Sequence, residues 1–182
     1  MKRIDVISLR KMIKNKKGFT LIELLIVMAI MGILSVIGLG QFRNSQRRAR
    51  DAARKADLEN ISRALQLYYV DNNIFPISTN GKISVGDDSF AWGEDSFSMQ
   101  IDGDTVVYMS LLPSDPTDDS EYCYSYDSST NKYFLYALLE NGSDPDILSC
   151  VDPDNNIMLD CNGGIYNYVV SSTNANPNEA CP

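Results

Sequence analysis

The chain has 182 residues, room for one domain with attachments, and a formal net charge of −8. That value hides a segregation: fourteen of the sixteen Lys and Arg precede Ala64, while nineteen of the twenty-four Asp and Glu follow it. Histidine is absent, which removes the commonest general base and metal ligand, and so acidic a distal region argues against nucleic acid as a partner.

In chain order, residues 1–18 carry seven basic side chains against Asp5 alone. The charge is that of an export-signal n-region, but the basic-Gly18 junction precedes the apolar run, and no small-residue A-x-A site closes that run. Removing this leader would leave the apolar segment on the mature chain. Residues 19–40 then form 22 residues of membrane-length sequence, about 33 Å as a helix against a bilayer core of about 30 Å. Glu23 is its single charge, and a carboxylate in such surroundings costs a few kcal/mol near a bilayer centre, so it implies a partner. Gly32, Gly38 and Gly40 read either as ordinary membrane-helix glycines or as sites of close helix approach. Each costs about 1 kcal/mol in a helix interior, so a soft joint is expected near 38–40. Basic residues flank the run on both sides, so charge alone barely decides its orientation.

Residues 41–75 keep a helical pattern. Ala53, Ala56, Leu58, Ile61, Leu65 and Tyr68 or Tyr69 recur mostly at three- and four-residue spacing, predicting an apolar face with arginines and acids on the other side. One helix is expected from Phe19 to about Val70, stopped by Asp71-Asn72-Asn73 and Phe75-Pro76. The basic patch from Arg43 to Lys55 reads either as a solvated face or as one that meets acidic surfaces of adjacent heads. It lacks the interleaved aromatics of a single-strand nucleic-acid binder.

From residue 76 the composition shifts to Gly, Ser, Asp, Asn and β-formers. Phe97–Ile101 and Thr105–Tyr108 around Asp102-Gly103 predict one hairpin, and Tyr122–Tyr126 with Tyr133–Leu139 a second. Ile165–Val170 is a last strand, residues 171–182 a polar irregular tail, and the tyrosines are expected in sheet packing. Cys123, Cys150, Cys161 and Cys181 favour two disulfides among three connectivities, with a slight preference for Cys150–Cys161 and Cys123–Cys181. Zinc is disfavoured without histidine or a C-x-x-C pair. Two acidic loops stand out: Asp115, Asp118, Asp119 and Glu121, then Asp152, Asp154, Asn156 and Asp160, the latter departing from an EF-hand at Ile157. No G-x-S-x-G run or metal set supports an enzyme, and no catalytic residue is assigned.

The run Lys17-Gly18-Phe19-Thr20-Leu21-Ile22-Glu23-Leu24, with the apolar stretch behind it, closely resembles the prepilin signature of type IV pilins and type II secretion pseudopilins. More weakly, Leu111-Leu112-Pro113-Ser114-Asp115-Pro116 and the tyrosine-rich hairpin after it are similar to pseudopilin heads. Gly40 departs from the pattern, since many members carry a helix-kinking proline there. The resemblance implies cleavage after Gly18 by a prepilin peptidase, N-methylation of Phe19, and assembly through Glu23 paired with the Phe19 amine of a neighbour. It implies as partners further copies, other pilin-like subunits, an inner-membrane assembly platform and membrane lipid. The head would lie outside the cytoplasmic membrane before joining a surface or envelope filament, with the leader in the cytoplasm. No cofactor is required; some pseudopilins hold calcium in the region of Asp115, Asp118, Asp119 and Glu121, so calcium stays open there.

The fold class expected is α+β, with a long N-terminal helix, transmembrane in its first half and amphipathic in its second, packed on a small antiparallel head. The segments are a leader 1–18, filament-core helix 19–40, amphipathic helix 41–75, head 76–170 and tail 171–182. The function expected is a pilin or pseudopilin filament subunit. The alternative is a single-pass anchored binding or adhesion module that does not polymerise.

Overall fold

The computed structural model describes residues 18–101, 103–148, 150 and 159–181, with side chains for all of these except 36–40. The leader up to Lys17, Asp102, and Asp152, Asp154 and Asn156 of the second acidic loop lie outside the described residues. Two compact units meet at Arg43 and Asn44.

Helix α1, Leu21–Asn72, is 52 residues long and runs through Gly38 and Gly40 without a break. A reciprocal cap starts it: the Glu23 carboxylate accepts from the Thr20 N–H at 2.8 Å and the Thr20 hydroxyl at 2.7 Å, and the Glu23 N–H donates back to Thr20 Oγ1 at 3.3 Å. At the far end Asn73 turns left-handed (φ 59°), its N–H donating to the Tyr69 carbonyl at 2.8 Å, and Pro76 forbids continuation.

Among the described residues ten strands follow: β1 Ile77–Thr79, β2 Lys82–Val85, β3 Asp88–Ser89, β4 Phe97–Ile101, β5 Asp104–Met109, β6 Cys123–Asp127, β7 Lys132–Ala137, β8 Leu159–Cys161, β9 Gly164–Tyr166 and β10 Tyr168–Ser171. All pairings are antiparallel, in sheets ordered β1-β2-β3, β10-β7-β6, β4-β5 and β8-β9. The two expected hairpins are β4–β5 and β6–β7. The expected single strand Ile165–Val170 is instead two, broken at Asn167, whose side chain bonds the backbone of Leu139. The tail is less irregular than its polarity suggests: it ends in a 3-10 turn, Pro177–Ala180, capped by Asn176. Strands β1, β2, β3 and β8 were not among the expected elements. β1–β2 and β8–β9 turn at Asn80-Gly81 and Asn162-Gly163, where both residues have positive φ, the pattern of a tight type I′ hairpin.

Strand β7 explains the packing. After Lys132 its residues are buried on both faces, so Tyr-Phe-Leu-Tyr-Ala reads as an apolar run without a polar alternate. Tyr133, Leu135 and Ala137 face the main core with Leu58, Ile61, Ala64, Leu65 and Tyr68 of α1. Phe134 and Tyr136 face a second, smaller core made with Leu159, Val169 and three cysteines, Cys123, Cys150 and Cys161. Each fully buried aliphatic side chain on the helix contributes about 1.5–3 kcal/mol.

The disulfides are Cys123–Cys161 and Cys150–Cys181, not the preferred Cys150–Cys161 and Cys123–Cys181. The physical reason is the unforeseen β8–β9 hairpin, which sets Cys161 beside the start of β6, while Cys181 comes back to Cys150. Gly81 backs directly onto this bridge: φ is +76°, and a Cβ there would stand 2.7 Å from Cys123 Sγ.

Candidate functional site

Two places carry chemistry that the core does not absorb. The first is the start of α1. Leu21 is 90% exposed, Leu25 68% and Leu34 62%, and Ile22, Leu24, Ile26, Val27, Met28 and Ile30 are exposed as well. This apolar stretch is bare of any partner among the described residues. Glu23 sits on this surface with Phe19, Leu24, Ile26 and Val27 around it, and both bonds it accepts from Thr20 fall on Oε2. Gly18 and Phe19 are exposed. Among the described residues no helix is long and apolar enough to cross a membrane. The 22-residue run read as a span includes residues 36–40, whose side chains are not described.

The second place is the buried ion cluster under the head. The sequence places arginines and acids on the solvent side of α1 and Ala53 and Ala56 on the buried side; the structure keeps Leu58, Ile61, Leu65 and Tyr68 buried but departs from this pattern at four positions. Ala53 and Ala56 are exposed, while Asp51 and Arg54 are buried at 2% and 1% exposure. Arg54 spends all five of its N–H donors. Nε and Nη2 grip Asp115 bidentately at 2.7 and 2.8 Å, Nη2 also reaches Thr117 Oγ1 at 3.1 Å, and Nη1 reaches Asp51 at 2.9 Å and Glu140 at 3.0 Å. Asp51 in turn accepts the backbone N–H of Glu140 and Asn141, each at 2.9 Å. Arg50 Nε donates to Glu140 at 2.6 Å, and Lys55 donates to Asp144 and Asp146 at 2.6 and 2.7 Å.

Protonation follows from these partners. The Arg50 and Arg54 guanidiniums hold the Glu140 carboxyl at about 2, well below its usual 4.5. Burial pushes Asp115 upward, but hydrogen bonds from Arg54 and Thr117 outweigh it and leave it below the ordinary aspartate range. Burial raises Asp57, opposed by the Tyr122 hydroxyl that donates to it at 2.8 Å. The arrangement fixes the helix to the loops at 113–117 and 139–141. Arg50, Arg54 and Lys55 therefore meet acids of their own head, where the sequence suggested solvent or adjacent heads.

Of the calcium candidates, Asp115 faces Arg54 while Asp118, Asp119 and Glu121 are exposed. Among the described residues no three of Cys, Asp, Glu and His converge as metal ligands. The sequence missed Asp51, Arg54 and Glu140. A signal existed, because the buried stripe 58, 61, 65, 68 continues backward at the same spacing to 54 and 51.

A family model for a prokaryotic N-terminal methylation motif matches residues 13–39. Core protein G of the type II secretion system of Pseudomonas aeruginosa is 29% identical over 143 residues, covering 73% of this chain and 92% of that protein. The wide pilus major component PilA4 of Thermus thermophilus is 38% identical over 73 residues, 40% of this chain and 56% of the relative. The chain carries this methylation motif and is similar to type IV pilins and type II secretion pseudopilins. A further relative, the major pilin PilE of Neisseria gonorrhoeae, is 39% identical over 61 residues, 34% of this chain and 36% of PilE. The two pilin matches thus extend over about a third of the chain, whereas the secretion-protein match reaches well beyond that length. No solved structure matches the chain.

Proposed function

We propose that the chain is a structural, non-catalytic filament subunit. It is cleaved after Gly18 by a prepilin peptidase, N-methylated at Phe19, and polymerised through residues 19–40 on an inner-membrane platform. Before assembly that segment crosses the membrane once, with the head outside the cytoplasm. The observation that carries this reading is the bare apolar start of α1 with Glu23 on its surface. Lipid covers it before assembly, and other subunits cover it afterwards. Within the polymer the Glu23 carboxylate exchanges or supplements its Thr20 contact with the Phe19 ammonium of a neighbour, which removes two uncompensated charges from an apolar interior.

The test uses Glu23→Gln and Glu23→Val in the native membrane. Glutamine can still complete the reciprocal cap but carries no charge, whereas valine can do neither. Both variants should insert and be processed to a chain whose intact mass begins at methylated Phe19, and both should lose most filament. Full assembly by Glu23→Gln would show that the cap alone matters and would remove the pairing. A processed wild-type chain that stays monomeric would favour an anchored binding module instead.

A further inference from the structure

We infer that the groove between helix α1 and the loop at residues 140–145 is a docking site for the acidic loop 118–121 of a second copy, set side by side; this rests on the filament reading above. The groove is floored by Arg47 and Arg48 of the helix and walled by Asn141, Gly142 and Ser143. Its nearby acids are already taken: Glu140 by Arg50 and Arg54, and Asp144 and Asp146 by Lys55. Arg47 and Arg48 are exposed and have no ion-pair partner among the described residues. Two guanidiniums beside the Asn141 amide and the Ser143 hydroxyl make a donor-rich slot suited to carboxylates.

The complementary surface is on the same chain. Asp118, Asp119 and Glu121 are exposed, and none forms an ion pair among the described residues. Within one copy the two surfaces lead off α1 on either side of Arg54, which bonds Glu140 of the groove wall and Asp115 at the start of the acidic loop. Lys55 leads one flank to Asp144 and Asp146, and Asp57 leads the other to Tyr122, the residue after Glu121. Two positions apart on a helix, these side chains point about 160° away from each other. A contact between two different surfaces cannot close as a two-fold dimer; it propagates into an open filament wherever the rotation between copies does not close a ring. Charge segregation along the sequence thus acquires a geometric role, since Arg47 and Arg48 on each copy face carboxylates on the next.

The experiment compares filament yield from native membranes for the full chain, for Arg47→Glu with Arg48→Glu, for Asp118→Lys with Asp119→Lys, and for all four together. Each reversed pair is expected to lower sheared filament by about tenfold, and the fourfold variant to recover most of it. Because these side chains are exposed, thermal unfolding of the detergent-solubilised variants should match the wild type. If it does not, an Arg48→Lys variant treated with a carbodiimide decides, by joining peptides around residue 48 and residues 118–121 between isotopically distinct copies. Wild-type yield from the reversed pairs, no recovery in the fourfold variant, or a cross-link that maps elsewhere overturns the contact while leaving the polymer intact. A processed wild-type chain that forms no polymer overturns both.

Discussion

The first turns of α1 and its later turns are one helix with opposite relations to the rest of the chain. From Leu21 to Leu34 the large apolar side chains are half or more exposed, whereas Leu58, Ile61 and Leu65 are fully buried. Conversely, the charges of the later turns include Asp51 and Arg54, which are shut away from water, while the single charge of the first turns stays on the surface. Apolar content alone therefore does not mark what the chain packs against itself. What distinguishes the regions is whether the described residues supply a partner: the head does so for the later turns, and nothing among the described residues covers the early ones.

The sharpest way to break the self-sufficient region is Arg54→Met. It removes the one cation bonded directly to Asp51 and Asp115, which stay buried at 2% and 9% exposure, so the loss should be about 3–5 kcal/mol. Arg54→Lys should recover only part of this, because an ammonium cannot grip Asp115 through two parallel bonds or fill five acceptors. Urea unfolding of the purified chain in detergent, with an unchanged m-value, would check it. A change under 1 kcal/mol would mean that water already relaxes the site.

Next in size is the outer core. Replacing Cys123 and Cys161 together with alanine should cost about 2–5 kcal/mol, because the bridge closes a sequence separation of 38 residues and holds β8–β9 against the sheet. The same denaturation series measures it.

Sequence reasoning reached the helix, two hairpins and the family signature because each rests on local chemistry: an apolar period, a turn between alternating runs, and a fixed order of residues. It stopped where a partner distant in the chain decides. Ala53 and Ala56 fit an apolar face by type, yet the stripe runs through Asp51 and Arg54, since Asp115 and Glu140 arrive 61 and 86 residues later to neutralise the arginine. The cysteine pairing failed for the same reason, because no spacing rule reveals that β8 lies beside β6. The Asn80-Gly81 and Asn162-Gly163 turns were legible in principle, but their strands are only three or four residues long and carry little alternation.

A smaller effect comes through pH. The Glu140 carboxyl is held at about 2 in the fold against an ordinary 4.5, so its contribution is complete above 4.5 and is lost as pH falls toward 2. Asp115, also lowered, moves the same way. Asp57, raised by burial, opposes them, since its fold binds the proton more tightly as pH falls. The net expectation is lower stability on acidification below 4.5, with Glu140→Gln flattening that slope. Glu140 is partly solvated, so at neutral pH the variant should cost about 1 kcal/mol or less. A slope unchanged in Glu140→Gln would assign the acid sensitivity to Asp115.

The smallest effect on stability is the most telling for the comparison. Leu25→Ala should leave unfolding of the detergent-solubilised chain within about 0.5 kcal/mol of wild type, because a side chain 68% exposed loses little burial when truncated. Leu65→Ala, the same chemical change at a fully buried position of the same helix, should cost about 2–5 kcal/mol. In filaments the ranking should move the other way, with Leu25→Ala reducing yield or mechanical resistance although the subunit folds normally. That reversal follows only if the early turns find their partner in other copies. Were Leu25→Ala filaments indistinguishable from wild type in yield and in resistance to shear, the bare surface of the early helix would be serving lipid alone, and the claim that it forms a polymer core would fail at that position.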